Sequence, residues 1–571
     1  MRALNLGRVG ALFLIVALGA AACAPAGRQS TAPGADGRET AEQAAQRTLS
    51  IVLRVEPAGA TDSASSLNRI SLALFSAYLG ARDPREQPFP ILAEAVPQLN
   101  TDSWRLLPDG RMETVFRVRQ GLAWHDGQPL TADDFVFGRR AAMARIEWGL
   151  VQPSLELQLM EEVSAPDATT LLIRWRQPYS DAAIPDILPL PRHVLETWLD
   201  QGQAEAFGGL PYWSTEYVGA GPYRMERWVQ GAFIEGTAFD GYALGRPRIE
   251  RVRLTWSNDP NVTVVRMLAG DAHIALDSAL QFQQAATLRR EWPRDGGSIL
   301  LSPTQLRYLQ VQHRPQYVNP AALQDVRVRK ALLHAIDRQA LADALLEGEG
   351  IPAESFLPPT VGYHDAVERA IAKYPHDVRR TEQLLSEAGL ARGSDGFYTG
   401  PGDARFAPEM RGLAEGQEAQ ETTILADFMR RAGIDAALNL LPATQRAQSD
   451  ELKATFPGFT TNYNTLNRDF GMAKMATARL AAPENRWSGS NKIGWSNEAY
   501  DRLFETYNTR LDRDERNSYM VQMLKLVSEE LPSLPLYFNY EVVAHVAALQ
   551  GPQIPAPESA RYGNIYEWHW R

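Results

Sequence analysis

Apolar and polar positions alternate most regularly between residues 115 and 140, VFRVRQGLAWHDGQPLTADDFVFGRR, where a strand, a turn and a capped helix follow in close order. Val115, Arg117 and Arg119 alternate with Phe116, Val118 and Gln120, the two-residue period of a sheet strand. Asp126 and Gly127 supply a turn. Thr131 precedes the apolar run Phe135, Val136, Phe137, with Asp134 three residues on, a capping box that predicts a helix start. Similar patterns recur along the chain. LSIVLRV (49–55) predicts a strand and 67–79 a helix, while Pro108, Asp109 and Gly110 predict a turn between two strands. Pro191 suits the first turn of a helix at 188–198, and RVRLTW (251–256) predicts a strand before a helix through Val264, Val265 and Leu268.

In the second half, LRYLQVQ (306–312) predicts a strand. Residues 322–341 predict one helix capped by Asp325, with Val328, Leu332, Ala335 and Ile336 as its apolar stripe. A helix in 374–390 ends at Gly389, and 421–441 predicts a helix, a stop at Gly433 and a strand. Asn497 is a cap, a terminal helix runs from Asp514 to Glu530, and Pro532 and Pro535 frame a return to the strand 536–540.

The ends and composition narrow the function classes. Arg2 and Arg8 precede an apolar run from Val9 to Ala22, shorter than the roughly 20 residues a membrane-spanning helix needs, which predicts a secretory signal peptide over 1–22. Cys23, the single cysteine, directly follows Gly19, Ala20, Ala21 and Ala22. Its position resembles a lipobox with Ala20 where Leu is usual, which implies lipid attachment at Cys23 and a membrane-anchored lipoprotein outside the cytoplasmic membrane or in the periplasm. Residues 24–47 are small and polar, the composition of a flexible tether. The formal charge is −10, and more negative by two once Arg2 and Arg8 leave with the leader, which argues against nucleic acid as a partner. With 571 residues and 44% hydrophobic content, the chain can build several cores.

Catalytic patterns are missing from the sequence. Its nine histidines are spread singly, with no HExxH pair and no Cys/His cluster of zinc spacing, and no GxSxG, P-loop or dinucleotide fingerprint occurs. The GAGPYR phrase at 219–224 lacks a third glycine and a lysine, so Gly219 and Gly221 read as turn residues rather than a phosphate cradle. His125 beside Asp126 could be taken for a dyad, but neighbours in a turn point apart. No enzyme activity, metal or cofactor is expected. The 13 tryptophans include Trp213, Trp228, Trp487 and Trp495 in loops or at element ends, where large flat side chains can serve a binding cleft.

The 115–140 block, PILAEAVPQL at 90–99, LPLPRHVLETW at 188–198, VGAGPYRMERWVQG at 218–231, the 322–341 helix and WSNEAYDRL at 495–503 together resemble the oligopeptide/dipeptide-binding type of ABC-transporter extracellular solute-binding proteins, family 5. The resemblance spans roughly 49–571. It implies an α/β, two-lobed periplasmic-binding-protein-like fold of class II, large type, with an additional inserted domain. On this reading 48–80, 205–305 and 535–571 form lobe I, 81–204 the inserted domain and 306–534 lobe II, after a leader at 1–22 and a linker at 23–47. It also implies a monomer that captures a peptide or other small organic solute by hinge closure and delivers it to ABC permease subunits. A secreted hydrolase and a solute sensor without transport are the alternatives.

The resemblance places the ligand on the second lobe. By spacing, Arg411 matches the arginine that holds a carboxylate in dipeptide binders. The aspartate that takes a peptide's ammonium in such receptors follows a Gly-Trp pair; here Asn462 and Tyr463 occupy the pair, and the count lands on Leu466. Asp469, beside Arg468, could serve instead. Tyr463, Asn464, Asn467, Arg468, Asp469, Trp487 and Asn491 complete the candidate set.

Overall fold

Strands Gly297–Val311 and Ser533–Val546 run antiparallel, and each reaches across two hydrophobic cores. Gly297 to Ser302 pairs with Val546 to Glu541; the register slips between Ser302 and Gln305, after which Gln305 to Gln310 pairs with Asn539 to Ser533. On one side of the slip Val543 packs with Leu49, Ile51 and Leu254. On the other, Leu309, Val311, Leu534 and Leu536 pack with Leu332, Leu425 and Phe459. A register slip bends and twists a strand pair locally, and this one lies in continuous sheet between the two cores.

The computed structural model describes residues 47–59, 69–83, 86–150, 154–442, 444–445, 449–465, 471–554 and 562–571. The leader, Cys23, nearly all of the tether, and Asn467, Arg468 and Asp469 lie outside the described residues. Within them, the long strands sit at the middle of one mixed sheet. Towards the amino-terminal body the order continues through Ile274–Ala275, Thr48–Leu53, Arg251–Trp256, Phe233–Ala238 and Tyr223–Val229. Towards the other body it continues through Phe459–Thr465, Glu409–Leu413 and Ala437–Leu441.

A separate sheet, ordered Trp104–Leu106, Met112–Arg117, Thr170–Trp175, Met160–Asp167, closes its own core of Phe116, Trp124, Phe135, Ile173 and Trp175. Helix Ala132–Glu147 starts as the capping pattern predicts: the Asp134 carboxylate accepts the Thr131 N–H at 2.9 Å and the Arg192 N–H at 3.2 Å. The neighbouring turn is tied to the glycine phrase. His125 Nδ1 accepts the Gly219 N–H at 3.2 Å, so Nε2, 3.0 Å from the Gly221 carbonyl, must donate. That neutral ring is favoured by burial, which lowers its pKa to about 4. Asp126 turns away and pairs with His193 at 2.7 Å. Gly219 and Gly221 are required by close approach, since a Cβ there would lie 1.9 Å from the Phe75 carbonyl oxygen and 2.4 Å from the Phe75 carbonyl carbon.

Several predicted elements differ from those formed; the helix expected over 67–79 ends at Phe75. The helix expected over 322–341 is broken into Val326–Ala335 and Arg338–Leu345, because Ile336 is extended and Asp337 caps a new helix, accepting the Ala340 N–H at 2.9 Å. Pro535 lies within its strand, opposite Tyr308 at a register irregularity where the missing N–H is tolerated. Helix Gly416–Arg431 starts earlier than 421, and Gly433, at φ 86°, follows it in the left-handed conformation expected of a stop.

Candidate functional site

Glu409–Leu413 lies parallel to Ala437–Leu441 and to Phe459–Thr465, and a cavity of about 440 Å³ opens beside the carboxyl ends of these strands. Such ends are where open α/β sheets leave a crevice. Alternation along the strands sets the wall: Tyr308 and Gln310, Arg411 and Leu413, and Thr460 and Asn462 each line it two residues apart. Glu418 enters from helix Gly416–Arg431, Leu452 and Lys453 from the short helix Asp450–Ala454, and Lys474, Ser490 and Lys492 from the segments that follow. Every lining residue lies between 308 and 492.

Arg411 and Tyr463, both expected at the site, line this cavity. The Arg411 guanidinium is already engaged, with Nε and a terminal nitrogen 2.8 and 2.7 Å from the same Glu409 oxygen. Tyr463 is half exposed, and the Arg307 guanidinium stands 5.8 Å from its ring centre. Asn464 is buried just beneath, in a recess it shares with Gly471 and Met475, and its Oδ1 accepts from Lys474 Nζ at 2.7 Å.

Asn491 and Trp487 are not among the lining residues. Asn491 is fully buried: its amide donates to the Met475, Ala476 and Trp495 carbonyls and its Oδ1 accepts the Gly494 N–H, which commits the side chain to tying its loop to the segment around Met475. Trp487 stands against Tyr317 and Arg314, at 6.2 and 5.9 Å, outside the cavity. Arg314 holds that loop from below. Its guanidinium donates to the Ala454, Lys492, Ala481 and Asn491 carbonyls and to Gln312 Oε1, and burial lowers its pKa.

Lys453, Lys474, Lys492, Gln310 and Glu418 were not anticipated. The alternation in LRYLQVQ could have pointed to Gln310, whereas the lysines come from separate segments whose convergence no local pattern encodes. Among the described residues no group of three or more His, Cys, Asp or Glu side chains is placed to hold a metal ion, and no helix is long and apolar enough to cross a membrane.

Residues 94–475 match the model of the bacterial extracellular solute-binding proteins, family 5. The dipeptide-binding protein of Escherichia coli K12 is 24% identical over 469 residues, covering 77% of this chain and 80% of that relative. Among solved structures, the oligopeptide-binding protein of Thermus thermophilus complexed with a pentapeptide superposes with a TM-score of 0.73 at 22% identity, over 92% of this chain and 96% of that one. NikZ of Campylobacter jejuni in complex with Ni(L-His) gives 0.72 at 19% identity, over 91% and 99%. At these identities the two superpositions establish the fold, a class II solute-binding-protein architecture of mixed α/β type.

Proposed function

The chain belongs to the family 5 extracellular solute-binding proteins, and from that premise we propose that it captures a peptide or similar small organic solute between two lobes and hands it unchanged to an ABC permease. The observation that carries this reading is the position of the cavity. All of its wall comes from residues 308–492, so a cargo seated there still needs a second wall, and the bend between Ser302 and Gln305 lets the first lobe supply one. We assign the lobes to 48–80, 205–305 and 535–571, to 81–204 and to 306–534; the cores follow this division only in part, since Phe137, Leu190 and Leu195 pack into the first core and Leu536 and Tyr537 into the second.

Selectivity then rests on which solute stabilises the closed form. Micromolar affinity needs about 8 kcal/mol net, within reach of an enclosed cleft with a few charge-assisted hydrogen bonds. Among the candidate contacts, Arg411 and Tyr463 line the wall and Asn464 supports it; Asp469 and Arg468, with Asn467, would meet the cargo from the adjoining segment 466–470. Cys23 carries the lipid that keeps the receptor beside its permease. The experiment is to purify the protein from its native source, release and identify its cargo by mass spectrometry, and rebind it calorimetrically. Recovery of an unaltered solute that rebinds stoichiometrically supports the reading; a chemically altered cargo contradicts it.

A further inference from the structure

Lys453 and Lys492 both line the cavity, and both ammonium groups rest on one oxygen of Asp450, at 3.1 and 3.2 Å. One carboxylate cannot neutralise two ammonium groups, so the trio keeps one net positive charge. Arg314 adds a second behind it: every acceptor its guanidinium meets is a neutral carbonyl or amide oxygen, and among the described residues it forms no ion pair. One of those acceptors is the Lys492 carbonyl, which ties the guanidinium to the lysine's backbone. Arg411, whose guanidinium also reaches the Leu452 carbonyl at 3.4 Å, adds no surplus, because Glu409 matches it within its own strand. A surplus of positive charge in the wall of a cavity, in a chain of formal charge −10, is a local construction rather than a property of the whole surface.

We propose that Lys453 and Lys492, spread around Asp450 and backed by Arg314, form a subsite for an anionic group of the solute, a carboxylate or a phosphate. The cargo is therefore acidic at the end that meets these lysines. This rests on the reading of the cavity as the solute site. Ammonium groups act as point charges with rotatable donors, so the subsite selects for charge more than for planar geometry. Lys492 already feels the surplus: burial lowers its pKa, Asp450 opposes that, and Lys453 and Arg314 add to the lowering. An incoming anion would relieve this and leave Lys492 more firmly protonated.

The test is an NMR titration of the purified full chain with its lysines carrying carbon-13 dimethyl labels, a modification that keeps the charge. The probes are glutarate, inorganic phosphate and the neutral glutaramide, and K453Q and K492Q identify the two signals. Saturable movement of both signals with glutarate or phosphate and none with glutaramide is expected. K453Q, at a lysine whose one bond among the described residues is to Asp450, should weaken anion binding read at Lys492 about tenfold. Movement with glutarate alone assigns the subsite to carboxylates, and with phosphate alone to phosphates. Signals that stay still with both anions, or that move equally with glutaramide, overturn the subsite. The probes require neither cargo nor closure: still signals in a receptor that binds and closes on its native cargo remove the subsite alone, whereas anion binding in a chain that captures no cargo removes the receptor reading instead.

Discussion

Arg307 and Glu421 form a buried two-point ion pair, with Nε and a terminal nitrogen 2.7 and 3.0 Å from the two carboxylate oxygens. The Tyr537 hydroxyl donates to the same carboxylate at 2.6 Å, which joins strand Gly297–Val311, helix Gly416–Arg431 and strand Ser533–Val546 beneath Tyr463. Breaking such a pair from one side leaves the buried guanidinium with only the more distant Glu418, at 3.7 Å. Glu421→Ala should therefore cost about 3–5 kcal/mol in chemical denaturation. The double replacement Arg307→Met with Glu421→Leu should recover most of that loss, because it removes both charges. A single variant as stable as the parent would contradict this assignment.

Arg314 holds the loop that carries Ser490 and Lys492. Arg314→Ala should loosen 481–494 and speed proteolytic nicking around the exposed residues 483–486, while a far-ultraviolet spectrum stays near that of the parent. Arg314→Lys should not restore protection, since a single ammonium cannot reach carbonyls that a planar fork serves in several directions. Limited proteolysis followed by mass mapping measures both.

Arg411 shares its guanidinium with Glu409, so the two substitutions should act in opposite directions on a carboxylate-bearing cargo. Arg411→Ala should weaken calorimetric affinity about tenfold, and Glu409→Gln should strengthen it a few-fold by freeing the guanidinium.

Acid should destabilise the fold through histidines that are buried neutral. Burial lowers His125 to about 4 and His313 to about 3, against 6.5 for an exposed ring. Below 6.5 the unfolded chain takes up protons that these folded rings refuse, so their contribution is complete above that pH and is lost as pH falls towards 4. Each such histidine steepens the loss by about 1.4 kcal/mol per pH unit across that window. Urea unfolding at several pH values should show a shallower acid slope for His125→Gln than for the parent. An unchanged slope would contradict the buried neutral assignment.

Local signals in the sequence carried the elements well where capping and stopping chemistry was explicit. Asn497 caps its helix through the Ala499 and Tyr500 N–H groups, Asp325 caps through Arg327, and Gly389 and Gly433 take the left-handed conformation their positions call for. The break at Asp337 was hidden because an apolar stripe continued on both sides of it, and only the side-chain bond to Ala340 reveals which turn the aspartate caps. At the site, Arg411 and Tyr463 were reached by family spacing. An asparagine in a polar loop phrase looks available for a ligand, yet Asn491 is occupied by two bonds near its own loop, to Trp495 and Gly494, and two to the Met475 and Ala476 carbonyls. Lys453, Lys474 and Lys492 meet only through tertiary folding, which neither periodicity nor composition records.

On the proposed function, the two lobes close around a cargo that leaves unaltered. Solution X-ray scattering of the full chain, stripped of cargo and then saturated with the solute recovered from the native protein, tests it most directly. A smaller radius of gyration with cargo, reversed when the same intact solute is removed, is the predicted result. Identical scattering in the two states would contradict it.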